Sequence, residues 1–377
     1  MISPGDLETL LSWEAPEGRS ILSLYVDCKA AQGLWSVSGR QSLAKSILRG
    51  LEARLDERNR PQLEAASETI LSRWTAESKA GRSFVAFAGS NGDPYWTREL
   101  KVPLTSQAHW GATPYLRPLI EAIEENERYG VVLTDKSRAR LLTVFLGEIE
   151  EERDAFNPEE IKHITSTGSD QARTMNLQRR AEEHARWHLN HVAEMLDRME
   201  RERRFDRLIL AGTTDTLAMV KRLLPKRLAS RIVGSVNLSV EAKEAEVLEQ
   251  TLEIERQAQR SRQEEIVEEL AVASAKQDRA VSGLSATIEA LREGRIWKLL
   301  YAETFAPRGR ECGACASLLE EAVERCSFCN ADTKPVEDLV EKMAQRVVET
   351  SGRVIAVGNR AAERLRAAGE IGAFLRF

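Results

Sequence analysis

The sequence predicts a multidomain α/β protein in three parts. These are an N-terminal α/β domain over residues 1–126, a middle domain over 127–238 with a mixed sheet and one long helix, and a C-terminal α/β sandwich over 239–377 interrupted by a cysteine block. Three observations lead there. A chain of 377 residues exceeds one ordinary core, so roughly two to four domains are expected. Short β-branched and apolar runs alternate with stretches whose apolar residues recur at three and four. Four of the five cysteines fall between positions 312 and 329.

The elements follow in order. Residues 21–26 (Ile-Leu-Ser-Leu-Tyr-Val) have strand composition, and 40–57 and 61–79 read as amphipathic helices. Residues 83–88 and 96–102 form a strand pair around Gly-Ser-Asn-Gly-Asp-Pro, a dense turn signal. In the middle domain, 130–134 and 140–146 are strands about the turn Asp-Lys-Ser-Arg. Residues 148–171 are polar and read as a long exposed loop. A helix from about 172 to 203 follows, its apolar side marked by Ala181, Ala185, Leu189, Val192, Leu196 and Met199. Then come a buried strand at 207–212, a helix at 215–224 and an edge-like strand at 232–238. Ser239 is a helix-start signal for a charged helix over 240–270, and Gly294 ends a second helix. Strands at 296–301 and 353–357, a helix at 336–349 and a short helix from about 361 complete the last domain.

Composition narrows the function classes. Hydrophobic residues are 42% and charged residues 30%, as in a water-soluble globular chain. A net charge of −5 argues against bulk polyanion binding and leaves room for a local basic face. No secretory signal, lipidation signature or apolar run of membrane length is visible, so a cytoplasmic protein without a membrane partner is expected. Cys28 follows a strand-like run and reads as a small buried residue.

The remaining cysteines form two pairs, Cys312-Gly-Ala-Cys315 and Cys326-Ser-Phe-Cys329, ten residues apart. Two tight turns, each supplying two thiolates, suit a tetrahedral zinc ion, with Gly313 easing the first turn. Four thiolates leave no position for water, so the zinc is expected to be structural, in a zinc ribbon at 308–333. A pair of redox motifs and an iron–sulfur cluster are the competing readings.

The loop that ends in Gly168-Ser-Asp-Gln171 precedes the long helix. Asp170 is a natural cap for that helix. The helix also opens with Arg173, Arg179 and Arg180, followed by His184, Arg186, His188 and His191, a run that suits a phosphate-rich surface. A metal on the three histidines is disfavoured, since no Glu follows His184 and the arginines repel cations; a nucleic-acid-facing or partly packed histidine cluster is expected instead.

The order of these pieces resembles the archaeo-eukaryotic class-one release factors and their Pelota relatives, in a bacterial-type branch similar to the stress-linked peptidyl-tRNA hydrolases. Residues 129–135 resemble the opening strand of that family's middle domain, 207–212 the strand after its long helix, and 288–301 the signature of its last domain. The resemblance implies that Gly168–Gln171 is a Gly-x-x-Gln loop, with Gly168 shaping it and Gln171 placed at the ester of peptidyl-tRNA on the ribosome. It implies that Arg173, Arg179, Arg180, Arg186 and His188 face RNA, and that the last domain meets a translational GTPase. Ser169 and Asp170 stand where release factors carry glycines, and the Asn-Ile-Lys-Ser decoding motif is absent. The expected function is therefore peptidyl-tRNA hydrolysis on stalled ribosomes. The alternatives are a non-catalytic hibernation factor in the ribosomal A site and, more distantly, an RNA nuclease or tRNA-processing factor.

Overall fold

The structure is a computed structural model that describes residues 4–28, 37–77, 81–156 and 170–377. Two compact units are present: residues 1–125 together with 261–377, and residues 126–260.

The first third opens with helix α1 (Pro4–Leu11) and strand β1 (Ile21–Asp27), then helices α2 (Val37–Glu52) and α3 (Arg60–Glu77). Strands β2 (Ser83–Gly89), β3 (Tyr95–Leu100) and β4 (Gln107–Gly111) precede helix α4 (Arg117–Glu125). The strands form an antiparallel sheet in the order β3-β2-β1-β4. Alternation along β1 sends Leu22, Leu24 and Val26 against Ala44 and Leu48 of α2 and Leu63, Ala66, Ile70 and Trp74 of α3. Trp74 stacks on Phe84 with ring centres 4.0 Å apart. Sequence patterning did not reveal α1, β4 or α4, each short and each stabilised by what it packs on.

The middle unit contains strands β5 (Tyr129–Thr134), β6 (Arg138–Phe145) and β7 (Glu148–Phe156), helix α5 (Asp170–Arg203), strand β8 (Arg207–Ala211), helices α6 (Thr214–Leu223) and α7 (Lys226–Ala229), and strand β9 (Ile232–Val236). The sheet order is β7-β6-β5-β8-β9. The meander β5–β7 is antiparallel, and β5, β8 and β9 are parallel. One face packs on Leu189, Val192, Leu196 and Met199 of α5 and on α6. The other packs on Val240, Ala242 and Val247. The expected loop at 148–156 is thus an edge strand. Its charged sequence fits an edge, where one side is solvated and charge discourages further pairing. Of the rest of that expected loop, 157–169 lies outside the described residues, and 170 and 171 already belong to α5.

Helix α8 (Glu244–Ala275) passes from one unit into the other. Strand β10 (Ala280–Ser282), helix α9 (Leu284–Arg292), strand β11 (Ile296–Ala302), a small sheet of β12 (Gly309–Cys312), β13 (Leu318–Glu320) and β14 (Thr333–Val336), helix α10 (Leu339–Glu349), strand β15 (Arg353–Val357), helix α11 (Asn359–Ala367) and strand β16 (Ile371–Leu375) complete the chain. The main sheet runs β10-β16-β11-β15. The cysteine-bearing sheet, β13-β12-β14, is inserted between β11 and α10, as the sequence implies. Gly294 takes φ +68° just past α9, a backbone that glycine adopts without strain.

The chain that enters and forms α4 is gripped by α10. Arg117 is buried and donates to Glu121 (2.8 Å), to Asp338 (2.9 Å) and to the Glu303 carbonyl (2.8 Å). Tyr115 Oη donates to Asp338 at 2.9 Å. Glu341 accepts the Leu116 N–H (2.7 Å) and the Gln345 amide (2.6 Å) on one oxygen, while its other oxygen is buried and unpartnered. Burial pushes the Glu341 carboxyl up to about 8, and burial beside Glu303 and Glu121 does the same for Glu125. A carboxyl that is more basic folded than unfolded stabilises the fold fully below its unfolded value, and that stability is lost as pH rises towards about 8. Thermal unfolding of this unit is therefore expected to occur at a higher temperature at pH 5.5 than at pH 8.5. Glu341→Gln, which keeps the acceptor and removes the titration, should flatten that difference by on the order of 2 kcal/mol. An unchanged pH dependence in the variant would contradict this account.

Candidate functional site

The cysteine block is built by backbone geometry. Strand β12 ends at Cys312, and the Ala314 and Cys315 N–H groups both point at the Cys312 sulfur at 3.4 Å. The Cys312 N–H bonds to the Ser317 carbonyl and the Ala316 N–H to the Cys312 carbonyl, closing the first turn. In the second, the Cys326 N–H bonds to the Ala331 carbonyl and the Asn330 N–H to the Cys326 carbonyl. Each turn is released by the residue after its second cysteine, Ala316 at φ +56° and Asn330 at φ +58°. The left-handed position is therefore Ala316 and not Gly313, whose N–H instead bonds to the Asp332 carbonyl at 3.2 Å.

The four sulfurs lie within 4.8 Å of one another. Cys312 and Cys329 are 3.4 Å apart, and Cys315 is 3.6 Å from both Cys326 and Cys329. A tetrahedral ion with sulfur at about 2.3 Å needs edges of about 3.8 Å, so these four could bind one metal with little adjustment. The free thiols are not disulfide-paired. Beside Cys312 and Cys326, Leu319, Val323 and Ala331 form a small apolar cluster.

The second predicted site lies at the start of α5. Gln171 occupies the first turn of that 34-residue helix, and Gly168 lies outside the described residues. Arg173, Arg179 and Arg180 fall further along the same helix. Arg186 is exposed. His188 departs from expectation. It is fully buried beside the β5–β6 turn at Asp135 and Arg138, and burial pushes its ring towards the neutral form. It is a packed residue and does not present its ring to RNA. Its spacing held the signal, for it lies three residues after Ala185 and four before Val192, both buried. The exposed aromatic of this stretch is Trp187, with the His191 ring nearly parallel to it, 6.0 Å away. Arg207 is buried, donates to Glu127 (2.9 Å) and Gln259 (2.5 Å) and forms an ion pair with Glu255 (2.8 Å), fixing the start of β8.

Residues 114–256 match the family described as bacterial archaeo-eukaryotic release factor family 10. The match runs from the segment gripped by α10, through every element of the middle unit, into α8. Among solved structures the chain is similar to Pelota of Archaeoglobus fulgidus, at 18% identity and a TM-score of 0.37, covering 78% of this chain and 79% of that one. It is also similar to Dom34 of S. cerevisiae, at 11% identity and a TM-score of 0.37, covering 78% and 80%. A third likeness is to an archaeal translation termination factor, at 17% identity and a TM-score of 0.26, covering 100% and 99%. No curated protein matches the chain.

Proposed function

We propose that this protein is a ribosome-directed release factor that hydrolyses peptidyl-tRNA in stalled complexes, with Gln171 at the reacting ester. The observation that carries the reading is the position of Gln171, within the matched family segment and in the first turn of α5. N–H groups in a first turn have no intrahelical partner, and the helix dipole places positive potential there. Such donors suit an ester carbonyl that becomes an oxyanion, while the Gln171 amide orients a water. The ester is already activated, so placing water can replace a strong base. Gly168 is assigned the turn that delivers Gln171, and Arg173, Arg179, Arg180 and Arg186 the neighbouring RNA phosphates.

The partners of the reading are ribosomal RNA, peptidyl-tRNA and a translational GTPase. An archaeal Pelota has been described bound to the ribosome with ABCE1, and yeast Dom34 as interacting with Hbs1. A cytoplasmic location follows from ribosomal work, and no described helix is long and apolar enough to cross a membrane. The metal of the cysteine block is assigned as zinc, held by Cys312, Cys315, Cys326 and Cys329. A closed thiolate set gives it a structural role in the last domain.

The test is release of labelled peptide from purified stalled ribosomes by the wild-type chain and by Gln171→Ala. Equal release by both would sink the reading. A second reading, a hibernation factor that occupies the A site without chemistry, is favoured by Asp170, the acidic residue that precedes Gln171 in the sequence. It predicts tight binding to vacant ribosomes and no release by either chain.

A further inference from the structure

We propose that Trp187 is a base-stacking residue, and that the α5 face carrying it takes a single-stranded RNA segment with one base laid on the indole. The inference rests on the ribosome-directed reading and names a contact that reading lacks. Trp187 is 55% exposed, and it is the one large apolar side chain so exposed among the described residues of the middle unit. Leaving an indole in water is unfavourable, and the buried face of α5, from Ala185 to Met199, lies elsewhere on the helix.

Its neighbours indicate the occupant. His184, Trp187, His191 and Arg198 follow at spacings of three, four and seven, so they share one face of α5. Basic positions thus run to both sides of the aromatic pair. His191 is nearly parallel to Trp187, with an interplanar angle of 7°. Arg186 is exposed on the adjoining side of the helix, and Glu183 and Glu194 border the stripe. One turn from Trp187 in either direction stand Glu183, His184, Asn190 and His191, with no second apolar anchor. A protein interface wants a cluster of apolar side chains around such a tryptophan. A cation-lined face with an isolated aromatic is what stacks nucleobases along a phosphate backbone.

The test measures affinity of the full chain for a fluorescein-labelled single-stranded RNA of mixed sequence across a salt series. Trp187→Ala is expected to bind about tenfold or more weakly, since a stacked base contributes on the order of 1–3 kcal/mol. Trp187→Phe keeps a ring and should stay within roughly threefold of wild type. The salt slope should be unchanged in Trp187→Ala and shallower by about one in Arg186→Ala, which separates stacking from phosphate contact. Wild-type affinity in Trp187→Ala overturns the proposal. So does equal weakening in Trp187→Ala and Trp187→Phe with the melting temperature unchanged, because a stacking ring should rescue. RNA binding does not involve Gln171. A chain inert in peptide release can therefore still pass this test, and a release-active chain can fail it.

Discussion

Gln171→Ala is expected to lower the single-turnover rate of peptide release by about 100-fold or more, with ribosome affinity changed by less than about threefold. The size follows from what the side chain would do. A donor aimed at a developing oxyanion contributes roughly 3–4 kcal/mol in a dry site, and an unpositioned water loses the advantage of proximity as well. The affinity is unchanged because one uncharged side chain in the first turn of α5 adds little to a surface whose binding depends on cations. A parallel Asp170→Gly variant separates the two readings. If the carboxylate only hinders, release rises in that variant. If the chain occupies ribosomes without chemistry, neither substitution moves a rate that is already absent. A Gln171→Ala chain that releases peptide at the wild-type rate would place the chemistry elsewhere.

Removal of the metal is the second large effect. Purified protein is expected to carry about one zinc, and Cys326→Ser should carry none after mild chelation. Structural zinc in small thiolate sites contributes on the order of 10 kcal/mol of apparent folding energy. The apolar cluster that Leu319, Val323 and Ala331 form beside Cys312 and Cys326 is small against that amount. Hydrogen exchange should therefore show β12, β13 and β14 losing protection while β5, β8 and α5 keep theirs, since the middle unit has its own two-sided core. Release of peptide from free peptidyl-tRNA should persist, and any contact made through the last domain should weaken. Loss of that release in a zinc-free chain with an intact middle unit would mean that the metal has a role beyond holding three short strands.

Much of the fold was legible because its signals are local. The strands at 130–134, 207–212 and 353–357 are dense in Val, Ile and Leu, and the long helix shows its apolar side at three and four. The structure places elements on all of them. Other elements carry no local signal. Strand β7 is polar because it is an edge. Strand β16 lies between β10 and β11 in the main sheet, yet it is five residues at the very end of the chain. Helix α4 is defined by its grip on α10, through Arg117, Asp338 and Glu341, and pairs of residues more than two hundred positions apart leave no periodicity to read.

The candidate sites divide in the same way. The sequence by itself determined which four cysteines come together, because a Cys-x-x-Cys turn is closed by its own backbone bonds and two such turns need only meet. It also determined that a long helix starts next to Gln171, since apolar periodicity is a near-neighbour property, though it left Gln171 itself in the loop before that helix. Tertiary structure alone decided which aromatic side chains of α5 face water. His188 and Trp187 are adjacent in the chain and equally plausible on an RNA surface, but the β5–β6 turn covers the first and leaves the second exposed. Burial depends on what arrives from elsewhere in the chain, and no spacing within one helix can encode the position of a turn some fifty residues away.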